Sequence, residues 1–134
     1  MESVKKKSLI DSYALLAYLK QESNYKKVED LLLSQETQLL MNDMNIGETF
    51  YILARERGLD QADYFINAIL PNLPITKIGN TLTEVIDAAK IKAQYPISYA
   101  DCFAVATAIR EKAVVITGDP DFKHVERMVE IDWL

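Results

Sequence analysis

The ten residues from Ala113 to Phe122, Ala-Val-Val-Ile-Thr-Gly-Asp-Pro-Asp-Phe, constrain this chain more than any other stretch. Val114, Val115 and Ile116 form a β-branched apolar run with no polar alternation, the pattern of a strand covered on both faces, as in a parallel sheet between helices. Gly118 and Pro120 then enforce a turn that carries two carboxylates, Asp119 and Asp121. In an open α/β sheet ligands bind in the crevice beyond the carboxyl ends of the strands, so these acids are expected where chemistry is done.

The rest of the chain repeats that unit. Ser8 to Ile10 is a short apolar approach to Asp11, and Ala14, Leu15, Ala17, Tyr18 and Leu19 after it suit a buried helix. Tyr25, Val28, Leu31 and Leu32 recur at helical spacing among Lys26, Lys27, Glu29 and Asp30, which predicts an amphipathic second helix. Gln38 to Met41 gives a second strand. Asn45 and Glu48 read as a capping box opening a third helix, with Ile46, Phe50, Leu53 and Ala54 inward and Gly58 at its end. Asp60 reads as the cap of a fourth, with Ala62, Phe65, Ile66 and Ile69 on one face and Pro71 beyond it. Pro74 to Ile78 predicts a third, weaker strand. Thr81 and Glu84 form another capping box before Val85, Ile86, Ala89 and Ala93, on a helix that should finish before Pro96. Ser98 and Asp101 open the segment Tyr99 to Lys112, which is apolar over most of its circumference and should be the most buried helix. Val129 to Trp133 is expected as a final edge strand. The alternation predicts a three-layer α/β/α sandwich around a central, mainly parallel sheet, as one domain over residues 1–134.

Composition narrows the class. With 49% hydrophobic and 26% charged residues the chain reads as soluble and globular, and no apolar run approaches a membrane span. The start, Met1 to Lys7, has a lysine triplet but no apolar segment behind it, so no secretion signal is read and the cytoplasm is the expected compartment. Cys102 is alone within an apolar helical run, where it reads as a small buried residue rather than a nucleophile. A net charge of −5 argues against indiscriminate nucleic-acid binding. It leaves room for a local basic rim, for which Lys5 to Lys7, Arg55, Arg57, Lys90, Lys92 and Arg110 are candidates; each is equally well an ordinary solvated charge.

Five acids stand at strand ends or helix starts: Asp11, Glu48, Asp101, Asp119 and Asp121. Taken singly, each is explained as a cap or first-turn residue, because carboxylates are favoured there. Taken together they share one rim, since a parallel sheet brings its strand ends and the following helix starts to the same side. Carboxylates crowded there repel, which raises their pKa values unless a cation neutralises them. An all-oxygen set points to Mg²⁺ or Mn²⁺, whereas zinc would need a His/Cys cluster and the chain has one of each. His124 follows the acidic turn and reads as a surface residue or a substrate contact. Tyr13, Tyr51 and Tyr99 lie near the acids and read either as base-stacking rings or as core.

Ile10-Asp11-Ser12, Glu48 in a mid-chain helix, Ser98-Tyr99-Ala100-Asp101 and Thr117-Gly118-Asp119-Pro120-Asp121-Phe122 together resemble the PIN domain, in particular the VapC-like toxins of prokaryotic toxin–antitoxin modules. The resemblance covers the whole chain in length and element order. It implies an Mg²⁺- or Mn²⁺-dependent endoribonuclease in which Asp11, Glu48, Asp101 and Asp119 are catalytic and hold metal, Asp121 supports it, and Ser12 and Thr117 orient ligands or water. It also implies an RNA substrate, a cognate antitoxin protein and a homodimer, with no role for a membrane. Chemistry by metal and acids alone needs no histidine. A non-catalytic PIN-like interaction or scaffold module is the alternative. A phosphoacceptor receiver would need an aspartate after the middle strand, where Lys77 stands; a haloacid-dehalogenase phosphatase would need an acid where Tyr13 stands.

Overall fold

The computed structural model describes residues 5–134; Met1 to Val4, the start of the segment read above for a signal, lie outside them. The elements are β1 (Lys6–Ile10), α1 (Ser12–Leu19), α2 (Tyr25–Leu33), β2 (Thr37–Asn42), α3 (Asp43–Arg57), α4 (Leu59–Tyr64), β3 (Ile75–Ile78), α5 (Leu82–Gln94), α6 (Tyr99–Glu111), β4 (Val114–Thr117) and β5 (Ile131–Trp133). The five strands form one sheet in the order β3-β2-β1-β4-β5, and every pairing is parallel, that of the edge strand β5 included. β1 is central, with Ser8 paired to Leu39 on one side and Val114 on the other.

Period-two alternation divides the strands between two cores. Leu9, Leu40 and Val115 point into a core made with Ala88 and Ile91 of α5 and with Phe103 and Val105 of α6. Ile10, Met41 and Ile116 point the other way, into a core made with Leu15, Val28, Leu53 and Phe65. Both faces of the central strands are therefore buried, the three-layer architecture expected from the unbroken apolar runs. Helix α6 is buried from Asp101 through Ala108, and Cys102 lies in it fully buried, its thiol pushed up mainly by burial. No helix of the described residues is long and apolar enough to cross a membrane.

Three local readings are corrected. The cap of α3 is Asn42, whose side chain accepts from the Met44 N–H, and Asn45 lies inside the helix; pairing of Asn42 with Ile78 carries β2 on to that residue before the chain turns. Glu48 thus sits in the second turn and closes no box with Asn45. The fourth helix starts after Gly58 rather than at an Asp60 cap, then loosens to a π turn at Phe65–Ile69 and tightens to a 3₁₀ turn at Leu70–Asn72, which contains Pro71. Proline has no N–H for the α ladder and its ring crowds the preceding turn, so the α geometry cannot run through it. On α5 the capping box of Thr81 and Glu84 forms as expected, but the buried row is Ala88 and Ile91, with Ile86 and Ala93 exposed.

Candidate active site

Strand order reverses between β1 and β4, because the chain runs outward from β1 through β2 to β3 and then crosses back to the far side of β1. A parallel sheet opens a crevice at such a switch point. Asp11 leaves the end of β1 and caps α1, its side chain accepting from the Ala14 N–H at 2.9 Å. Asp119 follows β4 and caps the 3₁₀ turn Pro120–Val125, accepting from the Asp121 N–H at 2.9 Å. Ser98 caps α6 by accepting from the Asp101 N–H at 3.1 Å, which fixes Asp101 in the first turn. The caps expected of these residues and their approach to one rim both occur. Capping and clustering are two consequences of one geometry.

Asp101, Asp119 and Asp121 form a group in which one carboxylate oxygen of each lies within 4.8 Å of the others. They make one wall of a crevice of about 240 Å³. Ser12, Tyr13 and Leu16 of α1 with Glu48 and Ile52 of α3 form a second wall, and Ser98 completes the lining. The Ser12 hydroxyl donates to Glu48 Oε1 and ties α1 to α3. Asp11 stands behind the crevice, 1% exposed, and accepts from the Thr117 hydroxyl at 2.5 Å; the same hydroxyl accepts from the Asp119 N–H at 3.0 Å. Thr117 thus clamps β1, β4 and the acidic turn through a single oxygen.

Burial pushes the Asp11 carboxyl up to about 8, and the charges of Asp101 and Asp119 push the same way against the bonds from Thr117 and Ala14. Asp101 is raised to about 7, again first by burial and then by Asp119, with Glu48 and Asp121 adding and Ser98 opposing. The walls therefore feel each other electrostatically. The donor set fits a hard divalent cation: the grouped ligands are all carboxylates, and such an ion would offset the repulsion recorded in both shifts. Cys102 is buried and His124 exposed, and neither joins the group.

The other candidates fall elsewhere. Lys5 to Lys7 lie at the amino end of β1, opposite the crevice, where Lys7 pairs with Glu111 at 3.4 Å. Arg110 is engaged by Glu84 at 2.8 Å, Lys92 donates to the Ile97 carbonyl at 2.8 Å, and the Arg55 guanidinium lies 5.3 Å from the Tyr51 ring centre. Arg57 and Lys90 are exposed. Tyr13, Tyr51 and Tyr99 are all exposed, which removes the core reading. One participant escaped the sequence reading. Asn45 is fully buried and donates to the Ala100 carbonyl at 3.1 Å, tying the helix of Glu48 to the residue before Asp101, while its Oδ1 has no partner. Its signal was the row Asn45, Thr49, Leu53 at i, i+4, i+8, where polar residues occupy an inward helical stripe.

An all-parallel α/β domain whose switch point gathers carboxylates defines a class of acid-based sites. The PIN domain family model matches residues 8–128, and the chain belongs to that family. No curated protein matches this chain. Among solved structures it is similar to the Rickettsia felis VapBC2 structure, bound to a DNA fragment from their promoter, with TM-score 0.72 and 14% identity over 94% of this chain and 97% of that one. The sarcin–ricin loop cleaving toxin VapC20 of Mycobacterium tuberculosis gives TM-score 0.73 and 16% identity over 88% and 94%. FitAcB of Neisseria gonorrhoeae gives 0.65 and 18% over 92% and 95%. At these identities the likeness is one of fold.

Proposed function

We propose that the protein is a metal-dependent endoribonuclease that hydrolyses RNA phosphodiester bonds, acting as the toxin of a toxin–antitoxin pair. The observation that carries the reading is the convergence of Asp101, Asp119 and Asp121, with Glu48 lining the same crevice and Asp11 buried behind it. On this reading Asp11, Glu48, Asp101, Asp119 and Asp121 hold Mg²⁺ or Mn²⁺. The ion supplies a lowered pKa for water and a counter-charge for the phosphate. The chain's own groups do the rest. Ser12 donates to Glu48 Oε1 and so orients this ligand. Thr117 fixes the Asp11 carboxylate and the acidic turn together, so the acids are set before substrate arrives.

RNA as substrate and an antitoxin as partner follow the character of similar structures, which include a toxin described as cleaving the sarcin–ricin loop and a toxin–antitoxin complex from Klebsiella pneumoniae. The surface supports a partner: Met44, Tyr51, Leu59 and Tyr64 leave apolar area exposed along α3 and α4. A groove bordered by Met44, Gly47, Tyr51 and Ala100 shares Glu48 and Ser98 with the crevice. An amphipathic helix seated there would bring an Arg or Lys to the acids, where its charge substitutes for that of the ion. A homodimer and a cytoplasmic location complete the proposal.

The test is RNA cleavage by the purified protein in Mg²⁺ or Mn²⁺. Chelator should abolish it, and Asp101→Asn should lower it at least about a hundredfold with the fold retained. Cleavage that persists in excess chelator, or full activity in Asp101→Asn, overturns the nuclease reading.

A further inference from the structure

We infer that Tyr13 forms a base-binding wall of the crevice and takes the nucleobase beside the scissile phosphate; the inference rests on the nuclease reading and specifies how that site grips RNA. Three observations carry it. Tyr13 is 41% exposed and borders the same crevice as Asp101, Asp119 and Asp121, with apolar Leu16 and Ile52 in its own wall. Its ring lies against Gly118: a Cβ on that residue would stand 2.4 Å from the ring edge, so a side chain there would push the ring off the backbone just before Asp119. Among the described residues no lysine or arginine borders this crevice.

The last point sets the chemistry. A nuclease site must hold a polyanion, and here the acidic wall repels it except through a bound cation, so affinity has to come from something other than salt bridges. A nucleobase supplies it, because every base has a π face that an exposed aromatic ring can cover whatever the sequence. The phosphate then lies toward Asp101, Asp119 and Asp121 and the base toward the Tyr13 ring, with Leu16 and Ile52 adding apolar surface to the same lining. The other candidate rings are otherwise engaged. Tyr51 carries the Arg55 guanidinium and borders the neighbouring groove. Tyr99 packs against Phe103 with ring centres 5.1 Å apart at an interplanar angle of 62°.

The experiment measures the Kd of a fluorescent single-stranded RNA in Ca²⁺, and cleavage kinetics in Mn²⁺, for the parent, Tyr13→Ala and Tyr13→Phe. Tyr13→Ala should weaken binding about 5- to 150-fold and raise KM in step, with kcat changed little. Tyr13→Phe should behave like the parent, because it keeps the ring. An abasic site next to the cut should weaken the parent by a similar factor and Tyr13→Ala not at all. The rise in Tm on adding Mn²⁺ should be the same in all three, since the acids are untouched. Parental Kd in Tyr13→Ala, an abasic penalty that survives in it, or loss of its Mn²⁺ response overturns the wall. A parent that binds RNA in a Tyr13-dependent way but cuts none defeats the nuclease reading and leaves the wall standing; cleavage indifferent to Tyr13 does the reverse. A parent that binds no RNA overturns both.

Discussion

On one wall of the crevice three carboxylates lie within 4.8 Å of one another; on the other a single carboxylate, Glu48, is held by the Ser12 hydroxyl beside Leu16 and Ile52. The difference is one of compensation. Glu48 has a hydroxyl partner in Ser12, whereas Asp101 carries the burden of burial and of the charges of Asp119, Glu48 and Asp121. The acidic wall therefore carries a repulsion that a proton or a cation would relieve, while the Ser12–Glu48 hydrogen bond is a contact that needs neither.

The largest expected effect separates the walls by cation. Mn²⁺ at a thousandfold excess over its Kd should stabilise the parent by about 4 kcal/mol, following RT ln(1 + [L]/Kd). Asp119→Asn should lose most of that gain. Without metal the variant should melt no lower than the parent, because asparagine caps as well as aspartate while one repelling charge is gone. Thermal melts of both proteins with and without Mn²⁺ check this, and a destabilised apo variant beside a metal-indifferent parent would remove the contrast.

The next effect separates them by protons. Asp11 at about 8 and Asp101 at about 7 both lie above the ordinary 3.8. Between pH 4 and those values the folded protein holds more protons than the unfolded chain, so stability must fall as pH rises. Urea melts of the metal-free protein should show a loss on the order of a few kcal/mol from pH 5 to pH 8. Mn²⁺ should flatten the slope by keeping the carboxylates charged. Stability that rises across this window would mean the acids are not buried together.

The smallest effect falls on the Glu48 wall. Ser12→Ala should cost about 1 kcal/mol through one lost hydrogen bond. It should leave the Mn²⁺ shift nearly intact, and chemical denaturation at fixed metal concentration measures both. A loss of the metal response as complete as that of Asp119→Asn would show that the walls act as one.

Much of this was legible in the chain. Val114 to Ile116 announced a strand buried on both faces, and Asp11, Ser98 and Asp119 could be placed because short polar residues after apolar runs are caps whatever else they do. Legibility failed where two readings shared the same local chemistry. Asn42 and Asn45 are equally good caps in isolation, and only the pairing of Asn42 with Ile78 decides between them. On α5 two apolar stripes overlap, one through Val85, Ala88 and Ile91 and one through Ile86, Ala89 and Ala93; packing against α6 selects the first. The hydroxyl bridges of Ser12 and Thr117 could be named as supports, but their partners could not, because they link residues 36 and 106 positions apart.

The central position of β1 has a consequence for how the protein is made. The strand is synthesised well before β4, so one of its edges stays open until Val114 to Ile116 emerge to pair with Ser8, Leu9 and Ile10. Asp11 likewise waits 106 residues for the Thr117 hydroxyl, and Asp101 waits for Asp119 and Asp121. Pairings so distant in sequence carry a loop-closure penalty and form late. A ribosome carrying an unfinished copy therefore holds a chain whose acids have not yet met, and the cutting chemistry proposed for it switches on only when nearly the whole described chain has been released to fold.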